Sequence, residues 1–278
     1  MTSLQKKLLI VIGVLSLCMC TLAGSLFMAT KVNPNQLHVR YQTIRDETIG
    51  KDAGILSILY FTDLQYGTFQ DTKRTENLIS TIEELDPSIV IFGGDLYDDA
   101  FVPTPESNQA LIDFLNRIDA PYGKFSVLGE KDIDETHMQS VRDIYAQTGF
   151  EILENKQVQI ANTFTLCGLS PSADVSVLAN NQKERFHIVV SHYPDNLVND
   201  ALSQDQVSLA LAGNSHGTQI TYPLLGGYRQ TEGSKILNRS QGASLPFSVI
   251  VSAGVGNTRI DARFNADPEI HYFLLSHD

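Results

Sequence analysis

The chain has 278 residues, 42% of them hydrophobic, which is enough apolar material for one sizeable core. Its 32 acidic side chains outnumber 20 basic ones and give a net charge of −12. So acidic a body repels phosphate backbones, which excludes general nucleic-acid binding. Of the three cysteines only Cys167 lies beyond residue 30, so the body forms no internal disulfide.

Lys6 and Lys7 precede 23 uncharged residues, 8–30. As a helix these extend about 35 Å, enough to cross a bilayer with some tilt. A cleavable signal peptide has a shorter apolar core, about 7–15 residues, and cleavage after Ala23 or Ser25 is the alternative. Cys18 and Cys20 make poor lipoprotein sites, because bulky Leu17 and Met19 precede them. The preferred reading is an uncleaved membrane anchor over 1–30 with its lysine end in the cytoplasm. A polar tether over 31–54, containing an edge strand, then leads to one extracytoplasmic domain over 55–278.

Residues 55–61 read as an apolar strand that ends at Thr62-Asp63-Leu64-Gln65. Leu78, Ile79, Ile82 and Leu85 fall on one helical face, and Pro87 stops that helix. The β-branched and aromatic run 88–92 predicts a buried strand stopped by Gly93-Gly94. Asp95 follows at its C-terminal end, where open α/β sheets place ligands. Ala110, Leu111, Phe114, Leu115 and Ile118 mark a second helix, ended by Pro121. A strand over 124–128 runs into Gly129-Glu130-Lys131-Asp132. Met138, Val141, Ile144 and Tyr145 mark a third helix, closed by Gly149. Strands are expected over 157–160, 163–169, 187–190, 207–212, 247–252 and 271–275, with a hairpin turn at Gly226-Gly227. This alternation predicts a layered α/β fold.

Five polar clusters follow apolar runs: Asp63-Leu64-Gln65, Gly94-Asp95, Gly129-Glu130-Lys131-Asp132, Ser191-His192-Tyr193-Pro194 and Gly213-Asn214-Ser215-His216-Gly217. Taken singly, Asp63 reads as a helix cap, His192 as a histidine satisfying a backbone group, and Gly213-Asn214 as a turn. Five such placements together point to one rim. Carboxylate, amide and imidazole groups gathered there make the ligand set of a two-metal hydrolase.

The order of these clusters resembles the calcineurin-like metallophosphoesterases, over roughly 55–275. It is most similar to their bacterial membrane-anchored branch, in 213–219 and in the tail Gly254-Val255-Gly256, Arg263-Phe264 and Pro268-Glu269-Ile270. The resemblance implies a two-sheet α/β sandwich flanked by helices, behind one N-terminal transmembrane helix, and a metal-dependent phosphoester hydrolase. It also implies the ligands. Asp63, Gln65, Asp95 and His216 take the first-metal positions; Asp95 bridges; and Glu130, His192 and Asn214 complete the second. Asp63, Asp95, His192 and His216 keep the family's residue types. Gln65, Glu130 and Asn214 replace a His, an Asn and a His, and Lys131 replaces the histidine that protonates the leaving group.

All three replacements offer oxygen, so Mg²⁺ or Mn²⁺ is favoured over Zn²⁺, with one or two ions and the second site the weaker. Lys131 has three readings. It stabilises or protonates a reacting phosphoryl group; it stands in a metal's position against Asp95 and Glu130; or it is a solvated surface lysine. Two functions follow: a phosphoester hydrolase at the cell envelope, or a pseudoenzyme serving there as a binding or scaffold protein. The sequence names neither substrate nor protein partner.

Overall fold

Short β-branched runs separated by amphipathic segments fold into two stacked sheets. This is seen in a computed structural model that describes every residue except 1, 53, 223, 225, 241–243 and 278. The helices are α1 Ser3–Phe27, α2 Thr72–Leu85, α3 Pro105–Asn116 and α4 Met138–Thr148. The strands are β1 His38–Arg45, β2 Leu56–Phe61, β3 Ile89–Phe92, β4 Lys124–Ser126, β5 Phe150–Ile152, β6 Lys156–Ile160 and β7 Phe164–Leu169. They continue with β8 His187–Ser191, β9 Leu209–Ala212, β10 Thr221–Tyr222, β11 Gly226–Gly227, β12 Ser248–Val251 and β13 Glu269–Ser276.

The first sheet runs β1-β13-β2-β3-β4-β5 and the second β12-β9-β8-β7-β6. Strands β2 to β5 are mutually parallel, as are β12, β9, β8 and β7. Parallel strands bring their C-terminal ends to one edge, where such sheets form ligand crevices. Alternation within each strand sorts the core. Ile58, Tyr60, Ile89 and Ile91 face Leu166, Ile188, Val190 and Leu211 between the sheets. Leu59, Phe61, Val90 and Phe92 point the other way, under Leu78 and Ile82 of α2, Leu111 and Leu115 of α3 and Ile144 of α4. The outer face of the second sheet packs under the 3₁₀ turns holding Leu178 and Leu197. Among the described residues, α-helices therefore cover only the first sheet's outer face.

Helix ends follow local chemistry. Asp86, at φ 45°, caps α2 before Pro87, and Gly149, at φ 74°, caps α4. Helix α3 stops at Asn116, short of Ile118, which is buried beneath its end. Strand β5 was not expected from the sequence, and Gly226-Gly227 forms the strand β11 rather than a turn. Strand β1 pairs parallel with β13 over its whole length, from His38↔Glu269 to Arg45↔Ser276.

Helix α1 is fully solvent-exposed against the body and is long and apolar enough to cross a membrane. Its end continues through a π turn, Met28–Val32, and a 3₁₀ turn, Asn33–Asn35. That extension is fixed to the body: Arg263 N–H donates to the Ala29 carbonyl at 2.8 Å, and Asn33 Nδ2 donates to the Arg263 carbonyl at 3.0 Å.

Candidate metal centre

The polar clusters converge at the shared strand ends, as their positions after β2, β3, β4, β8 and β9 dictate. Asp63, Gln65, Asp95, Asn214 and His216 all have positive φ, between 49° and 61°. Such conformations cost about 1–3 kcal/mol each and persist where packing over-determines them. Glycine makes the closest approaches possible: a Cβ on Gly129 would lie 2.1 Å from Asp95 Oδ1, and one on Gly213 2.2 Å from Thr62 Oγ1.

Three buried groups surround one point. His192 Nδ1 donates to the Gly93 carbonyl at 2.7 Å, which turns Nε2 towards the carboxylates. Nε2 lies 3.2 Å from Glu130 Oε2, 3.4 Å from Asp95 Oδ1 and 4.0 Å from Asp63 Oδ1. His216 Nε2 lies 3.4 Å from the same Asp63 oxygen. Asp63, Asp95 and His192 form a ligand-capable cluster, with one donor atom from each within 4.8 Å of the others. Asp63 Oδ1, Glu130 Oε2 and His192 Nε2 are buried without a hydrogen-bond partner. Carboxylate oxygens and an imidazole nitrogen left unsatisfied around one point fit a divalent cation.

Two of the expected ligands, Gln65 of the first set and Asn214 of the second, are committed elsewhere. Lys131 Nζ donates to Asp95 Oδ2 at 2.7 Å and to Gln65 Oε1 at 2.9 Å. Gln65 Nε2 donates to Asp95 Oδ2 at 2.8 Å, so the amide oxygen serves the lysine and its nitrogen the aspartate. Asn214 gives its backbone N–H to Asp63 Oδ2 and its side-chain Nδ2 to the Glu232 carbonyl at 2.6 Å. These contacts do not fit a second cation beside the first. Lys131 is not a solvated lysine either, since its side chain is only 13% exposed.

The charges follow the contacts. Burial opposes the Lys131 ammonium, but the Asp95 and Glu130 carboxylates outweigh it and raise its pKa. Burial opposes ionisation of Asp95 too, and Lys131 and His192 override it to hold that carboxyl well below its ordinary value. Asp63 is pushed up to about 6, chiefly by burial, although His192 acts in the opposite direction. Burial, then Lys131 and Arg263, lower His216 well below the usual imidazole range. Lys131 therefore holds its proton, which disfavours the proton-donor reading.

Three supporting residues had no role assigned from sequence. Asp132 is fully buried and accepts from the backbone N–H groups of Asp95, Leu96 and Gly129 at 2.7–2.8 Å. It locks the turn carrying Asp95, and its signal was a third polar residue in the third cluster. His137 braces the Lys131 carbonyl at 3.0 Å. Buried Arg263 binds the Asn257 side chain and the carbonyls of Ala253, Gly256 and Ala266, and so fixes the loop after β12. The centre opens into a cleft of about 330 Å³ lined by Glu130, Lys131, His216, Tyr228, Arg229 and Arg259, among others.

Fold and centre define a layered α/β protein with a candidate metal site at its strand ends. The family model described as calcineurin-like phosphoesterase matches residues 56–225, and the chain belongs to that family. It is 25% identical to the uncharacterized metallophosphoesterase YkuE of Bacillus subtilis, over 95% of this chain and 94% of that protein. It is 22% identical to the uncharacterized protein YpbG of the same organism, over 95% of each. Among solved structures, TT1561 of Thermus thermophilus aligns at 10% identity and a TM-score of 0.39, over 57% of this chain and 81% of that one.

Proposed function

We propose that the protein is a membrane-anchored, metal-dependent phosphoester hydrolase of the cell envelope. One divalent cation, Mg²⁺ or Mn²⁺ in preference to Zn²⁺, works beside the fixed ammonium of Lys131. The observation that carries this reading is the cluster of Asp63, Asp95 and His192, in which Asp63 Oδ1 and His192 Nε2 are buried without hydrogen-bond partners, behind a cleft lined by Glu130, Lys131 and His216. Asp63, Asp95, His192 and Glu130 would hold the cation, which supplies Lewis acidity and activates water. His216 abuts Asp63 Oδ1 and lines the cleft, where its lowered pKa leaves it a neutral ring. Lys131 would neutralise charge on the phosphoryl oxygens without giving up its proton.

The test uses the full chain purified in detergent. Aryl phosphomonoesters and phosphodiesters should be hydrolysed with Mn²⁺ or Mg²⁺ present, and Asp95→Asn should abolish nearly all of that activity. A second reading rests on the 2.7 Å Lys131–Asp95 ion pair, which already neutralises the central carboxylate. In that reading the protein is a pseudoenzyme that binds without cleaving. A folded chain that takes up metal yet cleaves neither ester class would sink the hydrolase reading in favour of this one.

A further inference from the structure

The cleft is walled on one side by Thr258, Arg259 and Ile260, which belong to the loop that Arg263 fixes. The same Arg263 receives the end of α1, through its N–H to Ala29 and its carbonyl to Asn33. The loop also binds the turn carrying His216. Gln219 Nε2 donates to the Ile260 carbonyl at 2.8 Å, and Gln219 Oε1 accepts from Thr258 N–H at 3.2 Å. Phe264 N–H reaches the Gln219 carbonyl, and Thr221 N–H, at the start of β10, reaches Phe264. The end of α1, the cleft wall and the β10–β11 hairpin are therefore one hydrogen-bonded unit.

That unit exposes apolar and aromatic side chains. Leu224 is fully exposed, Tyr228 is 65% exposed, and Tyr222 and Ile260 stand out beside them. Arg229 and Arg259 line the same cleft in a chain of net charge −12. Asp99, Glu130 and Glu232 line it too, balanced by Lys131 and those two guanidiniums, so the cleft is neutral overall. Its arginines sit on the same segments as the rim's apolar side chains, Tyr228-Arg229 and Arg259-Ile260. Tyrosine, leucine and arginine side by side suit the membrane–water interface, where aromatic rings settle at headgroup depth and cations meet lipid phosphates.

We infer that this rim contacts the membrane and seats the mouth of the cleft among lipid headgroups, so that the phosphoester cleaved is borne on a membrane lipid. The inference rests on the proposed reading of α1 as a span and of the centre as a phosphoester site. Distance supports it. The uncharged segment ends at Thr30, one residue beyond the carbonyl that Arg263 binds. Ile260 is three residues from Arg263, at most about 10 Å of chain. The headgroup layers add about 10–15 Å in total to a hydrocarbon core about 30 Å thick, so the mouth falls within or beside one of them.

The chain contains no tryptophan, so a single introduced indole reports its own surroundings. Ile260→Trp and Tyr228→Trp are placed in the full chain in lipid nanodiscs made with acyl-brominated phospholipid. Tyr122→Trp is the control, because Tyr122 bonds Ser88 at the start of β3, the end of the sheet away from the centre. Emission from the first two should fall at least about two-fold relative to unbrominated discs, while the control stays unchanged. Unquenched, acrylamide-accessible probes at 228 and 260 in a carbonate-resistant protein overturn the inference alone. Release of the chain by carbonate overturns the anchor and the inference with it. In the turnover arm, a phosphomonoester lipid in the disc should be cleaved at least about ten-fold faster than its water-soluble short-chain analogue. Equal rates overturn the lipid substrate. Quenched probes with neither ester cleaved overturn the lipid substrate together with the hydrolase reading, and support only the membrane contact.

Discussion

The ammonium of Lys131 holds Asp95 Oδ2 and Gln65 Oε1, while Asp95 Oδ1 faces His192 on the other side of the carboxylate. Asp95 thus divides two positive environments, one covalently built and one suited to an ion. Elemental analysis of the full chain should therefore find at most one tightly held ion, and two zinc ions per chain would contradict this division. Lys131→Ala should lower phosphoesterase activity by roughly 10²–10³-fold, the scale for losing one charge-stabilising donor. It also strands Asp95, and removing one partner of a buried pair costs about 3–5 kcal/mol. Added Mn²⁺ should recover much of that loss in thermal melts. A melt indifferent both to the substitution and to metal would show that the ion pair does not carry the site. The sequence placed all seven residues at strand ends, because polar clusters terminating apolar runs are a local signal. Their orientations were not legible. Gln65 turns towards a lysine 66 positions away, and Asn214 towards the Glu232 carbonyl 18 positions away.

Strand β13 shows how an element is held by charge at its first residue. Glu269 accepts from Arg40 Nε on β1 and from Ala253 N–H after β12, both at 2.9 Å, and lies 3.4 Å from the His271 ring. Burial opposes its ionisation, but His271, the Ala253 N–H and Arg40 prevail and bring the carboxyl down to about 2. A folded pKa below the unfolded one stabilises the protein above the unfolded value of about 4.3, and the gain is lost as pH falls towards the folded value. The shift corresponds to about 3 kcal/mol at most. Glu269→Gln should therefore melt lower at neutral pH and show a flatter acid limb between about pH 4 and pH 2. Parallel acid limbs in the two proteins would refute this. Elements with strong periodicity, such as α2 and α4, were readable from sequence, as was the closing Gly149, but the caps of α2 at Asp71 and Asp86 were not. Strand β5 was not, because three residues at a sheet edge carry no period. Nor was β11, because its two glycines look like a turn and form a strand only by pairing with Thr221 and Tyr222.

At the scale of the whole molecule, α1 leaves little slack. Only Asn33 to Leu37 separate the π turn from β1, and Ala29 and Asn33 are already bonded to Arg263. In the proposed anchored reading, the body and its cleft therefore lie on the side of the membrane reached by the end of α1. A signal-peptide cut after Ala23 or Ser25 would leave those contacts intact while freeing the domain, so the intact mass of the purified chain separates anchor from leader. An uncut chain is expected. Orientation then depends on charge. Lys6 and Lys7 sit at one end of the uncharged segment, and Lys31 and Arg40 lie beyond the other. Lys6 and Lys7 are consecutive, whereas Arg40 is already paired with Glu269, which leaves the denser basic cluster ahead of the uncharged segment. The body should lie outside the cytoplasm. Trypsin added to intact cells should cut it at exposed Lys51 or Lys183 and remove its signal from immunoblots. Protection until the cells are lysed would reverse the orientation, and would place the cleft and its lipid-facing rim on the cytoplasmic leaflet.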